Sequence, residues 1–309
     1  MGTHKNNQIS AVVVLFNPDL NLIDKYFKNT LKQVDRIFVI DNTPSPLPGI
    51  SSQLKKIGKK LDYQALGDNL GIAKAQNLGI RKALAKGCTH ILLLDQDSVI
   101  PSDLVHKLIK SEEKLLQAGV QVAAVGPAFI HEKTKVIQKA VRHGYFRIHW
   151  IDVDPSSHQP VEADFIISSG SLIRASAFKT IGLMREDLFI DRVDTEWGLR
   201  AKHIGFKSFV VPNVLMTHRV GETSVKFQNK WLYFHNDARH YYIVRNSTYL
   251  LQLKTMGWAW RCENLFNEIP KNCLKYFLFS DHKLRTFGLL LRALLDGMRG
   301  KLGRIDDGL

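Results

Sequence analysis

Asp95 and Asp97 stand one residue apart where an apolar run, Ile91-Leu92-Leu93-Leu94, ends. Such a continuous run reads as a buried parallel strand. Ligands of open α/β sheets sit beyond the carboxyl ends of strands of this kind. Two carboxylates there can hold a divalent cation, and the cation can hold a diphosphate. The same stretch also suits a plain strand-to-helix turn, with Asp or Ser98 as the helix cap. Other strand ends bear on the choice. Asn17 follows the run ISAVVVLF, Asp41 follows RIFVI, and Asp68 and Asn69 follow a weaker run at 61–66. Carboxylates and amides so placed can read a base and a ribose by hydrogen bonds. Each alone is ordinary turn chemistry, but their recurrence along one sheet points to a shared crevice.

The elements that must carry these residues alternate. Strand-like runs at 9–16, 36–40, 61–66, 91–94 and 120–125 are interleaved with helical spacing at 20–34, 71–85 and 104–116. This predicts an α/β fold with a mainly parallel sheet and helices on both faces. No G-x-G-x-x-G follows the first strand and no G-x-x-x-x-G-K-[ST] occurs, so dinucleotide and P-loop cradles are excluded. After Val125 the pattern changes to extended, partly antiparallel segments at 136–152 and 161–174. Ser168-Ser169-Gly170-Ser171 would allow close backbone approach to a ligand. Helical spacing returns over 189–205, with Gly205 as its stop. A strand at 207–216 leads into Thr217-His218-Arg219-Val220-Gly221.

The 309 residues suffice for one large α/β domain with an appendage or for two domains. A hydrophobic content of 45% supports a substantial core and argues against global disorder. The net charge of +14 asks for an anionic partner: a phosphorylated substrate, acidic lipid or nucleic acid. Cys88, Cys262 and Cys273 have no metal-like spacing, and their odd number argues against a disulfide framework, as expected in a reducing cytosol. The polar N-terminus carries no signal core, and no apolar run reaches the about 18 residues of a membrane span.

Taken in order, the pieces VVVLFNP, FVIDNT, GDNLGIAKAQNLGI, LLLDQDS, FIDRVDTEWGLRA and THRVG resemble the inverting nucleotide-sugar glycosyltransferases of family 2. Within that family they are similar to the bacterial rhamnosyltransferases. The resemblance implies a GT-A-type fold, a Rossmann-like mixed sheet with a C-terminal helical extension. It implies a nucleotide-sugar site formed by Phe16, Asn17, Asp41, Asp68, Asn69, Gly71, Asn77, Asp95, Gln96 and Gly170, with Asp41 at the base. Asp97 and His218 are the implied ligands of a divalent cation, Mg2+ or Mn2+, which neutralises the departing diphosphate. Asp194 is the implied general base for the acceptor hydroxyl. Many members have Glu-Asp there, whereas this chain has Val193-Asp194. Glu196 is then a second catalytic candidate, able to orient the acceptor or a cation. Trp197, Arg239, Tyr242 and Arg245 belong to the implied acceptor site, where arginine grips a diphosphate in bidentate fashion. The implied donor is dTDP-L-rhamnose, and the implied acceptor a polyprenyl-diphosphate-linked saccharide of surface polysaccharide (O-antigen) synthesis.

Residues 1–225 are expected to form the catalytic domain and 226–309 a helical, basic-amphipathic region. The region 226–309 holds 14 Lys/Arg against 7 Asp/Glu. In its helix at 284–302, Arg285, Arg292 and Arg299 recur beside Leu284, Phe287, Leu291, Leu294, Leu295 and Met298. That pattern suits a helix on an anionic membrane surface, placing the protein in the cytoplasm on the inner face of the membrane. The alternative is a helical pair packed on the catalytic domain or on a second subunit, as in an oligomer. A nucleic-acid partner would also use the charge, but no recognised nucleic-acid motif occurs, so none is expected.

Overall fold

In the computed structural model, which describes residues 7–132, 134–218, 223–227, 230–234 and 236–305, β1 (Ile9–Leu15) is buried at every position. Successive side chains leave opposite faces of a strand, so Val13 enters one apolar cluster and Val12 another. β2 (Arg36–Asp41), β3 (Leu61–Ala65) and β4 (His90–Asp95) extend this core in parallel, β1 pairing with β2 and β4, and β2 with β3. The crossovers are α1 (Ile23–Lys28), α2 (Thr30–Gln33), α3 (Ile50–Ile57), α4 (Ile72–Ala85) and α5 (Leu104–Gln117). The helix expected over 20–34 is two short ones, with Asn29 at the junction donating its amide to the Ile100 carbonyl at 2.9 Å.

β5 (Val122–His131) runs well past the expected 120–125. β6 (Ala140–His143) and β7 (Ile148–Ile151) form a separate antiparallel hairpin. β8 (Val161–Ala163), β9 (Ser171–Arg174) and β10 (Lys207–His218) complete an eight-stranded sheet of order β3-β2-β1-β4-β9-β5-β10-β8. β9 is antiparallel to both β4 and β5, and β8 is antiparallel to β10. The sheet is therefore mixed, mostly parallel, with helices on both faces. β11 (Thr223–Phe227) and β12 (Lys230–Phe234) pair as a small ribbon.

α6 (Ala175–Ile181) and α7 (Val193–His203) pack on the sheet face that holds Val12, Leu93 and Ile173. α8 (Asp237–Leu250), α9 (Trp258–Glu263), a π-helical turn (Asn264–Glu268), α10 (Ile269–Phe279) and α11 (Lys283–Arg299) follow. α8, α10 and α11 share a third cluster around Tyr241, Tyr276 and Leu289, and Phe189 from the loop before α7 joins it. Among the described residues no helix is long and apolar enough to cross a membrane.

Candidate active site

Sheet register brings the polar strand ends together. Leu15 lies beside Asp41 and Val14 beside Asp95, so the residues just past β1, β2 and β4 emerge side by side at one end of the sheet, where the crevice is expected. Asn17 holds a left-handed backbone (φ +47°), and its N–H donates to Thr43 Oγ1 at 2.9 Å. The Phe16 N–H donates to Gln96 Oε1 at 2.8 Å, tying the ends of β1 and β4. Asp41 is fully buried and accepts from the Thr43 N–H at 3.0 Å and from the Tyr63 hydroxyl at 2.8 Å. Burial, then the bond to Asp41, pushes the Tyr63 hydroxyl up, which keeps it a donor. Asn42 and Asn69 join side chain to side chain at 2.9 Å, and Asn69 Oδ1 also accepts from the Gly71 N–H at 3.1 Å. Asp68 stands at the rim in an exposed ion pair with Arg304.

Acids converge on the other side of this crevice. Asp97 is exposed, while Asp95 is half-buried at the end of β4. Burial pushes the Asp95 carboxyl up to about 6, and the charges of Asp97 and Asp194 add to the rise, opposed by Arg239. Asp194 stands in the first turn of α7, where its Oδ1 accepts from the Thr195 N–H at 2.8 Å. Burial raises its carboxyl too, with Asp191 adding to the rise and the N–H groups of Thr195 and Ser168, and Arg192, pulling it back. The charges of Asp97 and Asp194 thus both reach Asp95, where Arg239 opposes them. Arg239 also pairs with Asp191 at 3.2 Å.

The loop that presents Asp194 is strained. Phe189, Asp191 and Arg192 all have φ near +65° (66°, 64° and 63°), and none is glycine. Such backbone persists only where its surroundings hold it, and it clusters at functional sites. Here α8 holds it. The buried Asn246 amide donates to the carbonyls of Leu188 (2.9 Å), Ile190 (2.8 Å) and Asp191 (3.0 Å). Arg192 Nε donates to Ser247 Oγ at 3.0 Å. Gly71, at φ +85°, sits against the loop from the other side; a Cβ there would come within 2.6 Å of the Phe189 carbonyl.

Several residues expected at the site lie elsewhere. Glu196, 2% exposed, forms a two-pronged ion pair with Arg200 (2.9 and 3.0 Å), so its carboxylate is committed to the α7 interior. Trp197 is core: it tilts against Phe178, and its indole N–H donates to the Gly182 carbonyl at 2.8 Å. Arg245 is 1% exposed and ties down the Leu188 and Gly303 carbonyls. Tyr242 stacks on Phe189, and its hydroxyl accepts from the Ile305 N–H at 2.8 Å. Asn77 braces α4, exchanging hydrogen bonds with both backbone groups of Met184. Gly170 makes its close approach to Met216 and Pro127 rather than to the crevice. The side chain of His218 lies outside the described residues. Sequence reasoning missed Tyr63, Asp191, Arg192 and Asn246. Only Asn246 had a visible signal, an amide in the middle of a helix, where amides are poor formers.

A mostly parallel sheet with one inserted antiparallel strand, acids at the ends of β2 and β4, and another acid opening the helix behind them define a glycosyltransferase of the GT-A type. The chain belongs to glycosyl transferase family 2, whose model matches residues 10–182. It is 30% identical over 305 residues to the dTDP-rhamnosyl transferase RfbF of Shigella flexneri, covering 96% of this chain and 98% of that one. Among solved structures it is similar in fold to the mannosyltransferase PcManGT from Pyrobaculum calidifontis in complex with GDP-Man and Mn2+ (TM-score 0.55, 13% identity, 95% of this chain and 88% of that one). It is also similar to S. aureus TarS 1–349 in complex with UDP-GlcNAc (TM-score 0.54, 16% identity, 94% and 81%).

Proposed function

We propose that the enzyme transfers L-rhamnose from dTDP-L-rhamnose, with inversion, to a hydroxyl of a lipid-linked saccharide in bacterial surface polysaccharide synthesis. One observation carries the reading: the charge of Asp194, in the first turn of α7, reaches Asp95 at the end of β4, and Asp97 stands exposed two residues further on. A base and a diphosphate anchor must share one cleft for single displacement. The donor sugar rests on the full-length likeness to the Shigella enzyme.

In this reading the residues at the ends of β1 and β2 hold the base and ribose, with Asp41 bracing them from the interior through Thr43 and Tyr63. Asp194 takes the acceptor proton as the hydroxyl attacks the anomeric carbon. Its raised affinity for a proton suits that task better than an exposed carboxylate would. Arg239 holds the loop residue Asp191 and balances charge at the mouth.

A divalent cation fits the donor set. Asp95 and Asp97 supply hard oxygens at the end of β4, and the charges of Asp97 and Asp194 add to a rise on Asp95 that burial dominates. Among the described residues no group of three or more His, Cys, Asp or Glu is gathered to hold a metal. Asp97 and His218, the ligands expected from sequence, would hold the ion together with donor diphosphate oxygens, with Asp95 beside them. Bound there, the ion would supply Lewis-acid stabilisation of the leaving group. Residues 226–309 are assigned to the acceptor and to membrane contact.

Two measurements test the proposal. A panel of dTDP-, UDP- and GDP-sugars, read as nucleoside diphosphate release, should single out dTDP-L-rhamnose; preference for another sugar overturns the donor. Asp194→Asn should abolish turnover and leave donor affinity unchanged by calorimetry; retained turnover moves the base elsewhere.

A further inference from the structure

α10 and α11 form a helical hairpin whose inner sides are spent. Ile269 and Tyr276 of α10, and Leu289, Leu290 and Ala293 of α11, are buried in the cluster with α8. The outer sides are not. Leu284 is 90% exposed, Phe287 58% and Leu278 57%, and Leu274, Phe279 and Leu291 are exposed beside them. On α11 the exposed positions Leu284, Phe287 and Leu291 recur at helical spacing, so they form one stripe. The stripes of the two helices meet at the turn 280–282, and a soluble surface rarely leaves such a concentration of large apolar groups uncovered.

The rim of this tip is basic. Lys283 Nζ donates to the Phe277 and Leu278 carbonyls at the end of α10 and lies 5.6 Å from the Phe277 ring. Arg285 is exposed two residues further on, and Asp281 is the single acid in the turn. The hairpin also leaves the body beside the crevice. Tyr276 packs on His240 in the first turn of α8, and the adjacent Arg239 pairs with Asp191 in the crevice wall.

We infer that the α10–α11 tip seats the enzyme on an anionic bilayer surface. Leu278, Phe279, Leu284 and Phe287 enter the interface, and Lys283 and Arg285 meet lipid phosphates. A second copy on this face would bring two basic rims together, whereas an anionic lipid surface complements them. The seat would hold the crevice mouth beside the membrane, where a lipid-linked hydroxyl is presented. In that purpose it rests on the acceptor reading; as a binding surface it does not.

The test is sedimentation of the intact protein with vesicles, without donor or acceptor. Wild type should pellet with phosphatidylglycerol–phosphatidylcholine vesicles and about fivefold less with phosphatidylcholine alone. The variant Leu284→Glu/Phe287→Glu should lose about tenfold in partitioning with unchanged melting, since both side chains are exposed. Lys283→Glu/Arg285→Glu should erase the preference for anionic vesicles. Wild type left in the supernatant, or an apolar variant that binds as wild type does, overturns the seat. Light scattering that shows a dimer broken by Leu284→Glu/Phe287→Glu reassigns the face to a second copy and also overturns it. Vesicle binding without dTDP-L-rhamnose turnover would leave the seat standing and remove the donor reading instead.

Discussion

Replacing Asn246 with Ala should damage catalysis from behind the proposed base, Asp194. Its two amide protons serve three carbonyls of the loop 188–191, and its Oδ1 accepts from Arg245 Nε and Nη2 at 2.9 and 2.8 Å. All of this is buried, with Asn246 itself fully so. Neutral bonds of this kind contribute about 1 kcal/mol each and bonds to a charged group about 1.5–3 kcal/mol, so the loss is about 3 kcal/mol if a water partly refills the gap. Melting should fall by about 4–6 °C. The left-handed run at Phe189, Asp191 and Arg192 would relax, carrying Asp194 with it. A shift of about 1 Å in a reacting group costs about a hundredfold, so kcat should drop by that order while donor KM holds. Asn246→Asp sharpens the test. It keeps the acceptor for Arg245 but turns a carboxylate toward three carbonyls, so it should be no better than Ala. Scanning calorimetry together with steady-state kinetics measures both effects. Wild-type melting and kcat in Asn246→Ala, or a fully active Asn246→Asp, would refute the reasoning.

Three further outcomes follow from the site. Because the Asp194 carboxyl is raised and must be ionised to accept a proton, kcat/KM should fall with unit slope as pH drops through that raised value. The acid limb then stands above the ordinary aspartate value of about 4, and a limb at the ordinary value counts against Asp194. Glu196→Gln breaks the buried pair with Arg200 and should cost about 2–3 kcal/mol of stability in urea, with kcat of the folded enzyme within a few-fold of wild type. A loss of kcat without loss of stability would return Glu196 to catalysis. Chelation by EDTA should stop transfer, and Mg2+ or Mn2+ should restore it; full activity in EDTA would leave Asp97 without its proposed role.

The sheet core and its polar ends were legible because buried parallel strands are continuous apolar runs, and Asp or Asn breaks them visibly at Asn17, Asp41 and Asp95. The choice between Asp194 and Glu196 was not legible. Residues two apart on a helix point to opposite faces, and nothing local says which face of α7 meets the crevice. The same limit misplaced Tyr242 and Arg245. An arginine on a helix reads as exposed, yet the fold turns this side of α8 inward, where Arg245 satisfies carbonyls that the helix ends and loop leave open. The strain at Phe189, Asp191 and Arg192 leaves no mark in composition, since it is imposed by Asn246 and Gly71 from distant parts of the chain.

The four-residue strand β9 has a consequence for how the protein is made. It lies between β4 and β5, so β5 has no neighbour on that side until the chain has been synthesised past residue 174. A nascent chain emerging from the ribosome would hold an open β4 edge through some eighty further residues of translation, by the spacing of these elements. Assembly of the sheet's second half should be the slow phase of refolding, because those pairings close the longest loops. Fragments that stop near residue 150 should aggregate, and chaperone dependence should fade once β9 is available.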